Sequence, residues 1–111
     1  MKNHIELSNQ AQRDLRKMGR GSDRDRVAKD LFEELTAVPA PGNLDVKPLQ
    51  GARPWMRLRV GDWRILYRPL SADELQQVRA SQTRGDGPQG FLVDRVVNRS
   101  DLTEAVRNLA R

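Results

Sequence analysis

The sequence predicts an α+β fold with a small, mostly antiparallel β-sheet, and three observations point to it. Residues 55–67 read WMRLRVGDWRILY, two alternating runs around the two-residue turn Gly61-Asp62, with glycine first as primed hairpin turns require. Residues 22–38 carry Val27, Leu31 and Leu35 at helical spacing. Short alternating runs at either end, HIEL (4–7) and FLVDRVVN (91–98), supply further strands.

Each element follows in order. After the first strand, Ser8 has the character of an N-cap for a helix through AQRDLRKM. Gly19-Arg20-Gly21-Ser22 breaks that helix, and a second follows, with Phe32 widening its apolar stripe. The two helices are expected to form an αα-hairpin over one face of the sheet. Residues 39–43, PAPGN, end it. After the hairpin, residues 71–90 form a long polar interruption. Ser71-Ala72-Asp73-Glu74 has capping-box spacing for a short helix, with Leu75 and Val78 on it, and SQTRGDGPQG reads as a loop. The Arg84-Gly85-Asp86 triplet is read as chance, since nothing marks the chain as extracellular. A second capping box, Asp101 to Glu104, is expected to open a short C-terminal helix with Leu102, Val106 and Leu109. The element order is then β-α-α-β-β-(α)-β-α.

At 111 residues the chain is expected to be one domain, 1–111, with one core. Twenty Lys and Arg against fifteen Asp and Glu give a formal charge of +5, which favours polyanionic partners. Cysteine is absent and His4 is the sole histidine, so thiolate nucleophiles, Cys-ligated metals and multi-histidine centres are excluded. No cofactor and no metal is expected. The N-terminal MKNHIELSNQ lacks a signal-peptide core and no run approaches membrane-spanning length, which predicts a cytoplasmic protein with no membrane partner.

The hairpin carries the functional expectation. Its turn places Val60 opposite Trp63, Leu58 opposite Ile65 and Met56 opposite Tyr67 on an apolar face. The other face pairs Arg59 with Arg64 and Arg57 with Leu66, with Trp55 and Arg68 at the far end. Residues 47–68 hold six basic residues (Lys47, Arg53, Arg57, Arg59, Arg64, Arg68) against Asp62, a net +5 equal to that of the whole chain. Like charges opposite one another destabilise a ladder. One explanation is a solvated face paired with acids elsewhere, such as Glu33, Glu34 or Asp94. The other is a phosphate cradle, since guanidinium forks hold nonbridging oxygens well. Converging arginines with an exposed Trp55 would suit single-stranded RNA, where charge and stacking both contribute.

The block LQGARPWMRLRVGDWRILYR (49–68) resembles the RelE/ParE superfamily of bacterial toxin–antitoxin toxins. It has the family's Leu-x-Gly, an aromatic, paired basic residues in one strand, Gly-Asp-aromatic-Arg and a closing Tyr. LSNQAQRDLRKM and VVNRSDLTEA resemble the family's opening helix and last strand, while residues 71–90 replace what is usually a short turn. The resemblance implies either of two activities. RelE-like members cut mRNA in the ribosomal A site; ParE-like members inhibit DNA gyrase without being nucleases. A noncatalytic RNA- or antitoxin-binding module is a third possibility. By position, Arg57 and Arg59 match the paired basic residues, Arg64 the transition-state arginine and Arg99 a basic residue ending the last strand. The implied chemistry is metal-independent attack of a 2′-hydroxyl on the adjacent phosphate, with these four arginines catalytic and Lys47, Arg53, Trp55 and Arg68 binding RNA. The implied partners are a cognate acidic antitoxin, the ribosome and mRNA. Many RelE-like toxins place Tyr or His just after the last strand; here Thr103 stands near that position, and its hydroxyl is a poor base.

Overall fold

The computed structural model describes residues 2–81 and 87–109. The Arg84-Gly85-Asp86 triplet, with Gln82 and Thr83 of the same loop, lies outside the described residues. Five strands form one sheet in the order β1-β5-β4-β3-β2, comprising β1 (His4–Leu7), β2 (Val46–Pro48), β3 (Met56–Val60), β4 (Trp63–Pro69) and β5 (Gly90–Asn98). Only β1 and β5 run parallel; the other pairs are antiparallel. The fold is α+β, as the alternation predicts.

Helices α1 (Asn9–Met18) and α2 (Ser22–Lys29) cover one face. Ser8 caps α1, its Oγ accepting the Ala11 N–H at 2.9 Å. Gly19, at φ +69°, ends it. Their apolar faces meet the hairpin's. Leu15, Val27, Leu31 and Leu35 pack with Leu58, Val60, Ile65, Tyr67, Val93 and Val96. The Tyr67 ring meets Phe91 edge to face, with centroids 5.6 Å apart.

The Phe32 expectation is corrected. A π-helical turn, Asp30–Glu34, continues α2, and Leu35 N–H bonds the Asp30 carbonyl five residues back at 2.8 Å. The wider turn breaks the 3.6-residue phase, so Leu31 and Leu35 stay buried while Phe32 is 45% exposed.

The opposite face carries a second, smaller core. Trp55, Leu66 and Val97 pack against Ala52, Ala105 and Leu109, the last two brought by α4 (Leu102–Arg107) and the residues after it. The capping box expected at Asp101 is also corrected. A 3₁₀ turn, Arg99–Asp101, precedes α4; Asn98 caps that turn by accepting the Ser100 N–H at 3.1 Å, and the Asp101 side chain makes no capping bond. The box at Ser71 does form ahead of α3 (Ala72–Ser81), with Ser71 N–H donating to Glu74 at 2.9 Å and Glu74 N–H to Ser71 Oγ at 3.1 Å.

Strand β5 contains a bulge. Leu66 pairs with Arg95 and Tyr67 with Val93, leaving Asp94 extra. Helix α1 satisfies the irregular backbone. Ser8 Oγ donates to the Asp94 carbonyl at 2.7 Å, and Asp14 accepts the Val96 N–H at 2.9 Å. Asp14, itself buried, also takes Arg95 Nε at 2.9 Å and Gln10 Nε2 at 3.1 Å. This brace fixes the end of β5, and with it the start of the turn bearing Arg99. Among the described residues, no helix is long and apolar enough to cross a membrane.

Candidate functional site

The hairpin register places the arginines. Gly61, at φ +59°, makes the tight turn, and the partners are Val60–Trp63, Arg59–Arg64, Leu58–Ile65, Arg57–Leu66 and Met56–Tyr67. Alternation therefore sends Arg57, Arg59 and Arg64 to the face away from the two N-terminal helices. Lys47 on β2 stands opposite Arg57 and extends the row to the sheet edge.

Arg64 sits at the centre. Its Nη1 donates to the carbonyls of Gly61 at 2.8 Å and Trp63 at 3.0 Å. These contacts hold the guanidinium beside the turn. Its pKa is lowered from the ordinary arginine value, first by partial desolvation and then by the positive fields of Arg59, Arg57 and Arg99, with Asp62 opposing. The four arginines expected to be catalytic thus form one electrostatic group.

Carboxylates reach this group only at its margins. Arg57, 14% exposed, has Asp45 at 3.4 Å, and Arg99 Nε lies 3.8 Å from Asp62 across the turn. Arg99 is also tied by its backbone, its N–H donating to the Asp62 carbonyl at 2.8 Å. Among the described residues, neither Arg59 nor Arg64 has an acidic partner within ion-pair distance. Among the described residues, the acids within ion-pair distance of the basic face are Asp45, Asp62 and Glu74, and the charge of Asp94 also acts on Arg68.

The other basic residues lie elsewhere. Arg68 is four residues along β4 from Arg64, about 13 Å of strand. Its two terminal nitrogens each meet a Glu74 oxygen at 2.8 Å, a forked pair with α3. That pairing raises the Arg68 pKa, and holds the Glu74 carboxyl down at about 2. The Arg68 guanidinium carbon stands 5.8 Å from the Trp55 ring centroid. Arg68, Arg53 and Trp55 line a cleft of about 540 Å³, with Gly51, Ala52, Pro54 and Leu92. Arg53 and Lys47 are exposed.

Trp55 does not match its expectation as an exposed stacking platform. It is 3% exposed, because Leu66, Val97, Ala105 and Leu109 pack around it. The half-buried tryptophan is Trp63, whose indole N–H donates to Asp23 at 3.2 Å.

No residue of the cluster is suited to moving protons at neutral pH. Tyr67 is buried on the helix side, and desolvation pushes its hydroxyl up to about 12. Thr103 is exposed on α4.

Residues missed by sequence reasoning are Asp45, Glu74 as a partner of Arg68, and the Asp14–Arg95 brace. Only Glu74 had left a signal, since its capping box places it at the start of the helix following Arg68.

No curated protein sequence matches the chain. Among solved structures, the fold is similar to a chain of the RelB–RelE antitoxin–toxin complex from Methanococcus jannaschii. The identity is 20%, the TM-score 0.62, and the match covers 90% of this chain and 96% of that one. It is also similar to a chain of the toxin–antitoxin complex RelBE2 from Mycobacterium tuberculosis, at 22% identity and a TM-score of 0.58, covering 89% of this chain and 100% of that one. At such identities the likeness shows the fold. The model of the family described as the ParE toxin of type II toxin–antitoxin systems, parDE, matches residues 5–80, from β1 into α3. With that match over more than half its length, the chain belongs to the ParE toxin family of type II toxin–antitoxin systems, within the RelE/ParE superfamily that its hairpin resembles.

Proposed function

We propose that this toxin acts on mRNA held in the ribosome, binding the backbone through Arg57, Arg59, Arg64 and Arg99 and promoting its cleavage. The observation that carries the reading is the set of four adjacent arginines, two of them without a carboxylate partner among the described residues. In the reaction a 2′-oxygen bonds to the adjacent phosphorus, the bond to the 5′-oxygen breaks, and the 2′ proton is lost as the 5′-oxygen gains one. The arginines stabilise the charge that builds on the phosphorane. They do not exchange protons, so in this reading the proton steps fall to water or to groups of the ribosome. General acid–base catalysis contributes typically about a hundred- to ten-thousand-fold, so a toxin lacking its own group is a slow one.

A second reading, inhibition of DNA gyrase without cleavage, is favoured by the ParE family match and by the want of a proton-transfer group beside the arginines. Primer extension on an mRNA after brief induction, beside a gyrase supercoiling assay, separates the two. Codon-phased cuts support the first and lost supercoiling the second. Neither effect would leave a noncatalytic binding module.

The partner in this reading is an antitoxin that is acidic where it covers residues 47–68. The two solved structures named above are toxin–antitoxin complexes, and opposite charge speeds association and suppresses wrong partners. Co-expression with a small acidic protein from the neighbouring reading frame should restore growth and co-purify with the toxin.

A further inference from the structure

Resting on the RNA reading above, we propose that the cleft beside Arg68 is a second nucleotide subsite, with Arg68 as its phosphate ligand and Glu74 as an intramolecular carboxylate occupying that position. Arg68 belongs to the same sheet face as Arg64, by alternation along β4, and its cross-strand neighbour on β5 is Leu92. Arg68, Leu92 and the 51–55 loop together bound the 540 Å³ cleft. Its floor is apolar, from Ala52, Pro54, Trp55 and Leu92, and its polar groups are the two basic side chains Arg53 and Arg68. That combination suits a sugar and base held against the floor with a phosphate at the rim.

Glu74 meets Arg68 with two parallel bonds of 2.8 Å, the forked geometry a phosphate would also use. The carboxylate comes from α3, the helix that follows β4 in the chain. Its own position is fixed by the capping box with Ser71. Arg68 is thereby neutralised at rest while Arg59 and Arg64 remain open. The toxin consequently binds RNA through the turn-end cluster first, and the second subsite opens only where a phosphate displaces Glu74. In this way α3 limits the length of strand that the basic face engages.

Glu74→Gln tests this cleanly, because glutamine also closes a capping box and only the charge is lost. The measurement is the salt dependence of binding to a twelve-nucleotide oligouridylate, for the full chain and three variants. Each phosphate contact on a single strand adds about 0.7 to the slope of log affinity against log salt. Glu74→Gln should steepen the slope by about that amount and tighten binding several-fold at low salt. Glu74→Gln/Arg68→Gln should return the slope to the wild-type value. Asp73→Asn, on the same helix turn and with the same change in net charge, should leave it unchanged. A Glu74→Gln slope equal to wild type overturns the proposal, as does an equal steepening in Asp73→Asn, which would be a net-charge effect. Wild-type protein that fails to bind the oligonucleotide even at low salt overturns the RNA reading itself, a distinct outcome.

Discussion

Arg59 and Arg64 face each other directly across the β3–β4 ladder, and Arg64 folds its guanidinium back onto the Gly61 and Trp63 carbonyls. Two like charges share one rung, with Arg57 and Arg99 adding to the same field. Cross-strand pairs are worth about 0.2–1 kcal/mol, and like charges oppose folding. The sheet is therefore less stable here than a neutral face would be. The proposed phosphate-binding role would offset that cost when RNA is bound.

The first prediction follows from that opposition. Arg59→Gln should raise stability by a few tenths of a kcal/mol, with the gain shrinking as salt screens the pair. The same substitution should weaken growth arrest. Urea denaturation at low and high salt checks the first part. A loss of stability would show that Arg59 has a structural partner.

A second prediction concerns Asp14, which satisfies Arg95, Gln10 and the amide after the β5 bulge with one carboxylate. Asp14→Ala leaves a buried N–H and a half-buried guanidinium without their acceptor. Breaking such a pair costs about 3–5 kcal/mol when buried, and the partial exposure of Arg95 puts this case at the low end, about 3 kcal/mol. Urea denaturation measures it. A change below about 1 kcal/mol would mean that the brace is replaceable by water.

How much of this was legible in the sequence depended on how local the cause was. The hairpin register could be read because a two-residue turn with Gly61 first leaves one pairing, and alternation fixes the faces. The Ser8 and Ser71 caps were legible for the same reason: their partners lie three residues away. Trp55 was misread because its cover, Ala105 and Leu109, lies some fifty residues downstream and reaches the arginine face of the sheet. Phe32 was misread because a π-turn breaks the helical period on which the stripe was counted. Strand β2 was missed altogether. Three residues ending in Pro48 carry no alternating pattern, and pairing with β3 alone defines them. Of the basic residues, periodicity brought Arg57, Arg59 and Arg64 to one face, but it could not show which of them acids from Asp45 and Glu74 would meet.

The Glu74 carboxyl gives a third prediction. Its pKa is depressed from 4.5 to about 2 by the Arg68 hydrogen bonds first, with the Ser71 N–H next. A depressed carboxylate stabilises the fold above its unfolded pKa, and this contribution is lost as pH falls from about 4.5 through about 2. Because Glu74 is 39% exposed, solvent screening keeps the stabilisation under about 1 kcal/mol. Carbon-detected NMR titration should find no Glu74 midpoint above pH 3. An ordinary midpoint would mean that the pair with Arg68 is not kept in solution.

Tyr67 supplies a fourth. Buried against Phe91 with its hydroxyl pushed up to about 12, it should take no part in proton transfer. Tyr67→Phe should leave growth arrest on induction unchanged and keep the protein folded. Loss of toxicity in a folded Tyr67→Phe protein would place its hydroxyl in the chemistry.

The central claim, that the arginine cluster stabilises charge on a reacting RNA phosphate, is tested most directly by primer extension with wild type and Arg64→Ala. Removing one donor to a developing oxyanion costs about 2.7–4 kcal/mol, or about a hundred- to a thousand-fold in rate. The Arg64 side chain lies off the helix-packed core, so the variant should melt close to wild type. The account predicts codon-phased cuts with wild-type toxin and their near-complete loss with folded Arg64→Ala. Undiminished cuts in the folded variant, or none with wild type while supercoiling is lost, would contradict it.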